Sequence, residues 1–126
     1  MDKKYYITTP IYYPSAKPHM GHAYSSIIAD FFARFKRMDG YDVQFLTGTD
    51  EHGLKIQRSA EKQQIDPLEF CNQISQTFRD LSETLDLTNT DFIRTTEDRH
   101  KKAVQHLWDE LEKNDDIYLS KYSGWY

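Results

Sequence analysis

Apolar residues in the amino-terminal part of the chain follow first a strand-like and then a helical spacing. From Gly21 to about Asp39 they recur every three or four positions, and Gly40 follows, as is typical of a helix that ends in a glycine cap. Short aromatic and β-branched runs on either side, at 5–8 and 43–47, predict two strands. This part of the chain therefore predicts a strand, a loop, a helix and a second strand. The apolar residues of the helical pattern are Tyr24, Ile27, Ile28, Phe31, Phe35 and Met38.

The remainder of the chain opens with a strong helix start. Asp66 suits the N-cap, Pro67 suits the first helical position, and Glu69 stands three residues after the cap. A last helix is predicted after Thr95 or Thr96, either of which offers a capping hydroxyl. Short runs at 91–94 and 117–120 predict two more strands. The inner face predicted for the last helix is Val104, Leu107, Trp108 and Leu111, and the aromatic residues predicted to be core are Phe31, Phe35, Phe70, Phe78 and Trp108.

Strands that alternate with long helices predict an α/β domain with a parallel sheet and flanking helices. In such sheets ligands bind beyond the carboxyl ends of the strands. The segment 19–22 comes after the first predicted strand and its loop, and the segment 50–52 comes after the second strand. We therefore expect these two polar segments to converge on one crevice.

Composition restricts the function classes. A chain of 126 residues has room for one core, and its net charge of −4 argues against a domain whose main task is to grip a nucleic-acid backbone. Cys71 is the only cysteine, which excludes an intrachain disulfide and a thiolate zinc cluster. No apolar run is long enough for a signal peptide or a membrane span. No membrane partner is therefore expected, and the cytoplasm is the expected location.

Two histidines flank a glycine where the first helix is predicted to begin, in the sequence His19-Met20-Gly21-His22. Unpaired backbone N–H groups and the positive end of the helix dipole attract anions there, and Gly21 allows a phosphate to approach the backbone. Imidazole N–H groups would hydrogen-bond a transferring phosphoryl group. The same spacing is compatible with a metal site completed by Asp50 and His52, or with a histidine that only caps the helix.

Asp50 follows the second predicted strand, in Thr49-Asp50-Glu51-His52-Gly53. Its carboxylate would hold an ammonium group on a substrate, or would serve as the N-cap of a following helix. Tyr12 and Tyr13 lie between prolines in a loop, either as packing residues or as the wall of a small apolar pocket. Neither position decides the function by itself.

Three segments taken together closely resemble the amino-terminal part of the methionyl-tRNA synthetase family, which belongs to the class I aminoacyl-tRNA synthetases. They are Ile7–Pro14, His19–His22 and Leu46–Gly53, and Phe92–Lys102 strengthens the match. The four-residue signature of the family is usually His-Ile-Gly-His, and Met20 takes its second, apolar position. The resemblance spans essentially the whole chain. It implies the first half of a Rossmann-like nucleotide-binding fold, truncated at the start of the connective-peptide insertion.

The resemblance also implies an enzyme that activates methionine with ATP and transfers it to tRNA. His19, Gly21 and His22 would bind ATP, and the two histidines would be catalytic because they stabilise charge near the α-phosphate as the methionine carboxylate attacks. Mg²⁺ would accompany ATP as part of the substrate rather than be held in a dedicated protein cage.

The amino-acid half of the site follows from the same resemblance. Asp50 would pair with the α-ammonium of methionine, and Ile11 and Tyr13 would line the amino-acid pocket. No metal ligand is carried over, and the zinc that some members bind through cysteines of the insertion is not expected within these residues.

The resemblance assigns residues 1–115 to the first half of the catalytic domain and 116–126 to the start of the connective-peptide insertion. The family continues with a second half that carries a lysine-rich loop and with an anticodon-binding domain, so the chain is expected to be an amino-terminal fragment that is inactive alone. Most contacts to tRNA are expected in those further regions.

Two other function classes stay open at this point. A nucleotidyltransferase also uses a His-x-Gly-His segment at a helix start to bind the α-phosphate, without methionine chemistry. A non-catalytic binding module would use the aromatic residues Trp125 and Tyr126 to dock on a partner.

Overall fold

The fold, taken from a computed structural model that describes residues 3–124, contains three strands and four helices within those residues. Residues up to Thr96 form one compact unit, and residues from Glu97 form a second. The elements in chain order are β1 (Lys4–Thr8), α1 (Met20–Met38), β2 (Asp42–Thr49), α2 (Leu54–Gln63), α3 (Pro67–Thr84), β3 (Asp91–Arg94) and α4 (Asp98–Lys113).

The three strands form a parallel sheet in the order β1-β2-β3. Ile7 pairs with Phe45 across β1 and β2, and Gly48 pairs with Ile93 across β2 and β3. A Cβ placed on Gly48 would lie 2.0 Å from the carbonyl oxygen of Ile93, so only glycine fits at this point of the β2–β3 pair. The predicted α/β fold with parallel pairing is confirmed.

Helix α1 packs on the sheet through small residues. Ala29 and Ala33 form a buried cluster with Val43 and Phe45 of β2. Phe31 and Phe35 are 64% and 52% exposed, so the prediction that they are core residues is wrong. The apolar stripe along α1 is broad, and its alanine side faces the sheet because small side chains allow the helix to lie close to the strands.

Helices α2 and α3 form a second cluster through Ile56, Ala60, Phe70 and Cys71. Asp66 caps α3 as predicted, since its carboxylate accepts the N–H groups of Leu68 and Glu69 at 2.9 and 3.2 Å. Helix α2 was not predicted, because its sequence is mostly polar and it buries only Ile56 and Ala60. Phe78 is buried, as expected for a core aromatic residue.

The second unit contains α4, whose N-cap is Glu97 and not Thr95 or Thr96. Both threonine hydroxyls hydrogen-bond to Glu51 instead, which removes them from the helix start. Taken by itself, α4 has no buried residue, so the predicted core position of Trp108 is wrong. The strand predicted at 117–120 does not form. Trp125 and Tyr126 lie outside the described residues.

Among the described residues, no helix has both the length and the hydropathy that a membrane crossing requires.

Candidate active site

The two histidines cap the start of α1 with their own side chains. Nδ1 of His19 accepts the backbone N–H of Gly21 at 3.0 Å, and Nδ1 of His22 accepts the backbone N–H of His19 at 3.0 Å. This is the reciprocal geometry of a capping box, with imidazoles in the places usually taken by serine and glutamate. The cap that the sequence left as an alternative is therefore present.

These bonds also fix where the imidazole hydrogens lie. A neutral imidazole that accepts at Nδ1 carries its hydrogen on Nε2. Burial, followed by the charge of nearby His19, lowers the pKa of His22 below its ordinary value and favours the neutral ring. His19 and His22 are thus arranged to offer Nε2–H groups to a ligand while their Nδ1 atoms hold the helix start.

An aromatic cluster supports the ring of His22. Tyr12 and Phe78 stack with their centroids 5.5 Å apart, and the edge of His22 contacts both at 4.9 and 5.1 Å. The Tyr12 hydroxyl lies 2.9 Å from the hydroxyl of Ser26, one turn along α1. Tyr12, buried at 7% exposure, is therefore a packing residue that orients His22.

A cavity of about 230 Å³ opens beside this cluster and brings four of the predicted site residues together. Ile11 and Tyr13 line it from the loop, and His19 and His22 line it from the helix start. Lys17 and Lys55 also line it, and none of its lining residues is acidic. The full lining is Ile11, Tyr12, Tyr13, Ser15, Ala16, Lys17, His19, His22 and Lys55.

Gly21 matters for the position of His19. A Cβ at residue 21 would lie 2.8 Å from Cε1 of His19 and 3.0 Å from its Nδ1. A side chain at this position would therefore displace the imidazole from its place over the helix start.

Asp50 is held against the same loop through its backbone. Its N–H donates to the carbonyl oxygen of Tyr12 at 2.8 Å, beside a bridge between Tyr12 and Thr49. Its half-buried carboxylate has no hydrogen-bond partner within residues 3–124. Gly53 is the N-cap of α2, so Asp50 does not cap that helix. Asp50 is not among the residues that line the 230 Å³ cavity.

Sequence analysis missed Glu51, whose side chain has no exposed surface. Its carboxylate accepts Nε of Arg94 at 2.7 Å and the hydroxyls of Thr49, Ser75 and Thr96. Burial favours the neutral acid, but these hydrogen bonds outweigh burial and hold the pKa of Glu51 below its ordinary value. The sequence did contain a signal for this ion pair. Glu51 follows one predicted strand and Arg94 ends another, so opposite charges would lie at the same edge of a parallel sheet.

The metal site that the sequence left as an alternative would combine His19 and His22 with Asp50 and His52. No three His, Cys, Asp or Glu side chains are grouped for metal binding in the part of the chain that the structure describes. A ring nitrogen of His52 lies 3.2 Å from the carbonyl oxygen of Thr95, and this contact accounts for its orientation.

A protein-family model matches almost the whole chain. The model described as "tRNA synthetases class I (M)" matches residues 5–126. The chain belongs to this class I tRNA synthetase family. The predicted resemblance is confirmed.

Individual relatives of this synthetase chain agree over nearly its full length. It is 54% identical to the mitochondrial methionine–tRNA ligase of Takifugu rubripes, over 99% of this chain and 21% of the relative. It is also 54% identical to the methionine–tRNA ligase of Rickettsia bellii, over 100% of this chain and 25% of the relative. The methionyl-tRNA synthetase of Mycobacterium tuberculosis in complex with methionyl-adenylate matches with a TM-score of 0.92 and 48% identity, covering 98% of this chain and 24% of that one. The chain spans about a fifth to a quarter of the length of these relatives.

Proposed function

We propose that this chain supplies the ATP- and methionine-binding half of a methionine–tRNA ligase. The observation that carries the proposal is the gathering of Ile11, Tyr13, His19 and His22 around one cavity beside the backbone of Asp50. The Mycobacterium tuberculosis relative with methionyl-adenylate supports the choice of ligand.

In the proposed reaction, an oxygen of the methionine carboxylate attacks the α-phosphorus of ATP, and the bond to the β-phosphate oxygen breaks. Methionyl-adenylate forms and pyrophosphate leaves. The Nε2–H groups of His19 and His22 hydrogen-bond phosphate oxygens whose charge grows in the transition state. Lys17 and Lys55 add positive charge to the same cavity and attract the phosphates. ATP enters as its Mg²⁺ complex, since Mg²⁺ binds mainly through substrate phosphates.

Asp50 supplies the amino-acid half of the proposed site. Its carboxylate has no partner in the described chain and is available to pair with the α-ammonium of methionine. Ile11 and Tyr13, which are 41% and 55% exposed, offer an apolar surface to the substrate side chain. Gly21 is proposed to serve ATP binding through His19, whose imidazole occupies the space beside the missing side chain.

Residues 1–115 are proposed as the first half of the catalytic domain and 116–126 as the start of the connective-peptide insertion. The end of α4 at Lys113 and the lack of helix or strand over 116–124 support this boundary. Transfer of the methionyl group to tRNA is proposed for the longer protein. The cytoplasm is the proposed location, with the mitochondrion as the alternative because one relative is named as mitochondrial.

Methionine-dependent exchange of pyrophosphate into ATP, measured on the full-length gene product that contains residues 1–126, tests the proposal. Asp50→Ala should raise the KM for methionine on the order of a hundred-fold, since a charged hydrogen-bond partner is lost. Asp42→Ala, at the exposed start of β2, is the matched control and should leave both KM values unchanged. Nucleotidyl transfer that proceeds without methionine and is indifferent to Asp50→Ala would favour the nucleotidyltransferase alternative.

A further inference from the structure

We propose that Glu51 is a positioning residue that holds Asp50 in place for the amino-acid half of the site. The inference rests on the proposed function, because it concerns the same methionine pocket. The side chain of Glu51 has no exposed surface, and Glu51 is not among the residues that line the 230 Å³ cavity.

Glu51 joins the ends of several elements. Its carboxylate binds Thr49 at the end of β2, Ser75 on α3, and Arg94 at the end of β3. Thr96 donates to the second oxygen. Three donors therefore meet at one oxygen of the carboxylate and one at the other, and they come from separate parts of the fold.

Contacts of Glu51 anchor the two residues on either side of Asp50, Thr49 through its side chain and Glu51 through its own backbone N–H. The side chain of Glu51 binds the hydroxyl of Thr49 at 2.9 Å, and the N–H of Glu51 donates to the hydroxyl of Thr95 at 2.8 Å. The N–H of Asp50 itself donates to Tyr12. Asp50 thus sits between two anchored neighbours, which restricts the direction of its free carboxylate.

The charge of Glu51 is necessary for this arrangement. Every partner of its carboxylate is a donor, and Arg94 is mostly buried with 19% of its side chain exposed. A glutamine would direct an N–H₂ group at one of these donors and leave the guanidinium without its counter-charge. The backbone around Asp50 would then relax, and small displacements of a binding group reduce its contribution strongly.

Pyrophosphate exchange by the full-length gene product that contains residues 1–126 tests this role. Glu51→Gln should raise the KM for methionine by about ten-fold while the KM for ATP changes by less than about two-fold. Asp30→Asn is the matched control, because Asp30 is also buried, pairs with Arg34 at 2.6 Å and accepts from Thr88. It should lower the Tm without changing the KM for methionine.

If Glu51→Gln does not fold, two substitutions of Thr96 test the same role with a smaller change to the structure. Thr96→Val removes one donor to the carboxylate and should raise the KM for methionine about three-fold, whereas Thr96→Ser retains the hydroxyl and should restore the wild-type value.

The outcomes separate the two proposals. If the wild-type protein shows no methionine-dependent exchange, the proposed function is overturned, and the role of Glu51 with it. If the wild-type protein is active but Glu51→Gln and Thr96→Val only lower the Tm, as Asp30→Asn does, Glu51 is a structural residue and this inference alone is wrong.

Discussion

The backbone N–H of His19 donates to Nδ1 of His22 at 3.0 Å, so the second histidine of the His-x-Gly-His segment caps the first. Their rings lie close together, with centroids 3.9 Å apart. The side chains proposed to bind phosphate are therefore the same ones that close the helix start. Helix capping and phosphate recognition use different nitrogens of each ring, and substitutions can separate the two roles.

Replacement of His22 distinguishes capping from ligand binding. His22→Ala removes the acceptor for the His19 N–H and should lower the free energy of unfolding by about 1 kcal/mol. His22→Gln keeps an acceptor at the position where capping boxes favour glutamine, so its loss of stability should be smaller. Both variants should lose most pyrophosphate exchange in the full-length gene product. Equal stability of the two variants in urea unfolding would contradict the capping role.

Gly21→Ala should reduce activity more than stability. The added Cβ would displace the His19 imidazole, and loss of one positioned donor costs on the order of a hundred-fold in kcat. Alanine is also the better helix former, which offsets part of the lost cap.

Gly40→Ala is the control for Gly21→Ala, because it should have the opposite effect and reduce stability without reducing activity. Gly40 has φ 78° and nothing near its Cβ position, so alanine there should cost about 1 kcal/mol of stability and leave exchange unchanged. A Gly21→Ala protein with normal activity would show that His19 tolerates displacement.

Acid should weaken the fold through His22. Because the pKa of His22 is lower in the folded protein than its ordinary value of about 6.5, the unfolded chain binds the extra proton first as the pH falls. The free energy of unfolding should therefore rise with pH up to about 6.5, and this contribution should be absent in His22→Ala. Urea unfolding across that pH range measures it. A His22 titration midpoint above 6.5 by NMR would contradict the sign.

Gly48→Ala should disrupt the sheet. The atom nearest to the new Cβ is a backbone carbonyl oxygen of Ile93, which cannot turn aside as a side chain can, so the loss should be about 2–3 kcal/mol or more. Gln44→Ala, at an exposed position of the same strand, is the control and should change stability by less than about 0.5 kcal/mol. Similar urea midpoints for the two variants would show that β2 and β3 can separate locally.

The local sequence determined much of the fold. The helical spacing from Tyr24 to Met38, the Asp66-Pro67 start of α3 and the short strand runs each specify an element through neighbouring residues alone. Parallel pairing follows from their order along the chain. The sequence also predicted that 19–22 and 50–52 meet at one edge of the sheet, because carboxyl ends of parallel strands share an edge. In the structure His19 and His22 line the 230 Å³ cavity and Asp50 and His52 do not, although the N–H of Asp50 donates to the carbonyl oxygen of Tyr12 beside it.

The faces of the helices required the tertiary structure. Both sides of the broad apolar stripe on α1 satisfy the helical period, and only contact with β2 selects Ala29 and Ala33 over Phe31 and Phe35. Helix α2 has too few apolar residues to be predicted from the helical period of its sequence. It nevertheless places Lys55 at the lining of the cavity.

The environment of the two adjacent acids, Asp50 and Glu51, was likewise decided by tertiary contacts. By itself the sequence presents two similar side chains one after the other. Arg94, Ser75 and Thr96 come from distant positions to bind Glu51, and the carboxylate of Asp50 stays free of such partners within residues 3–124. Sequence thus determined the elements and the edge at which the site lies, because those depend on local period and chain order. Only the tertiary structure decided which acid is an anchor and which is available to a ligand, because burial and hydrogen bonding depend on residues brought together by folding.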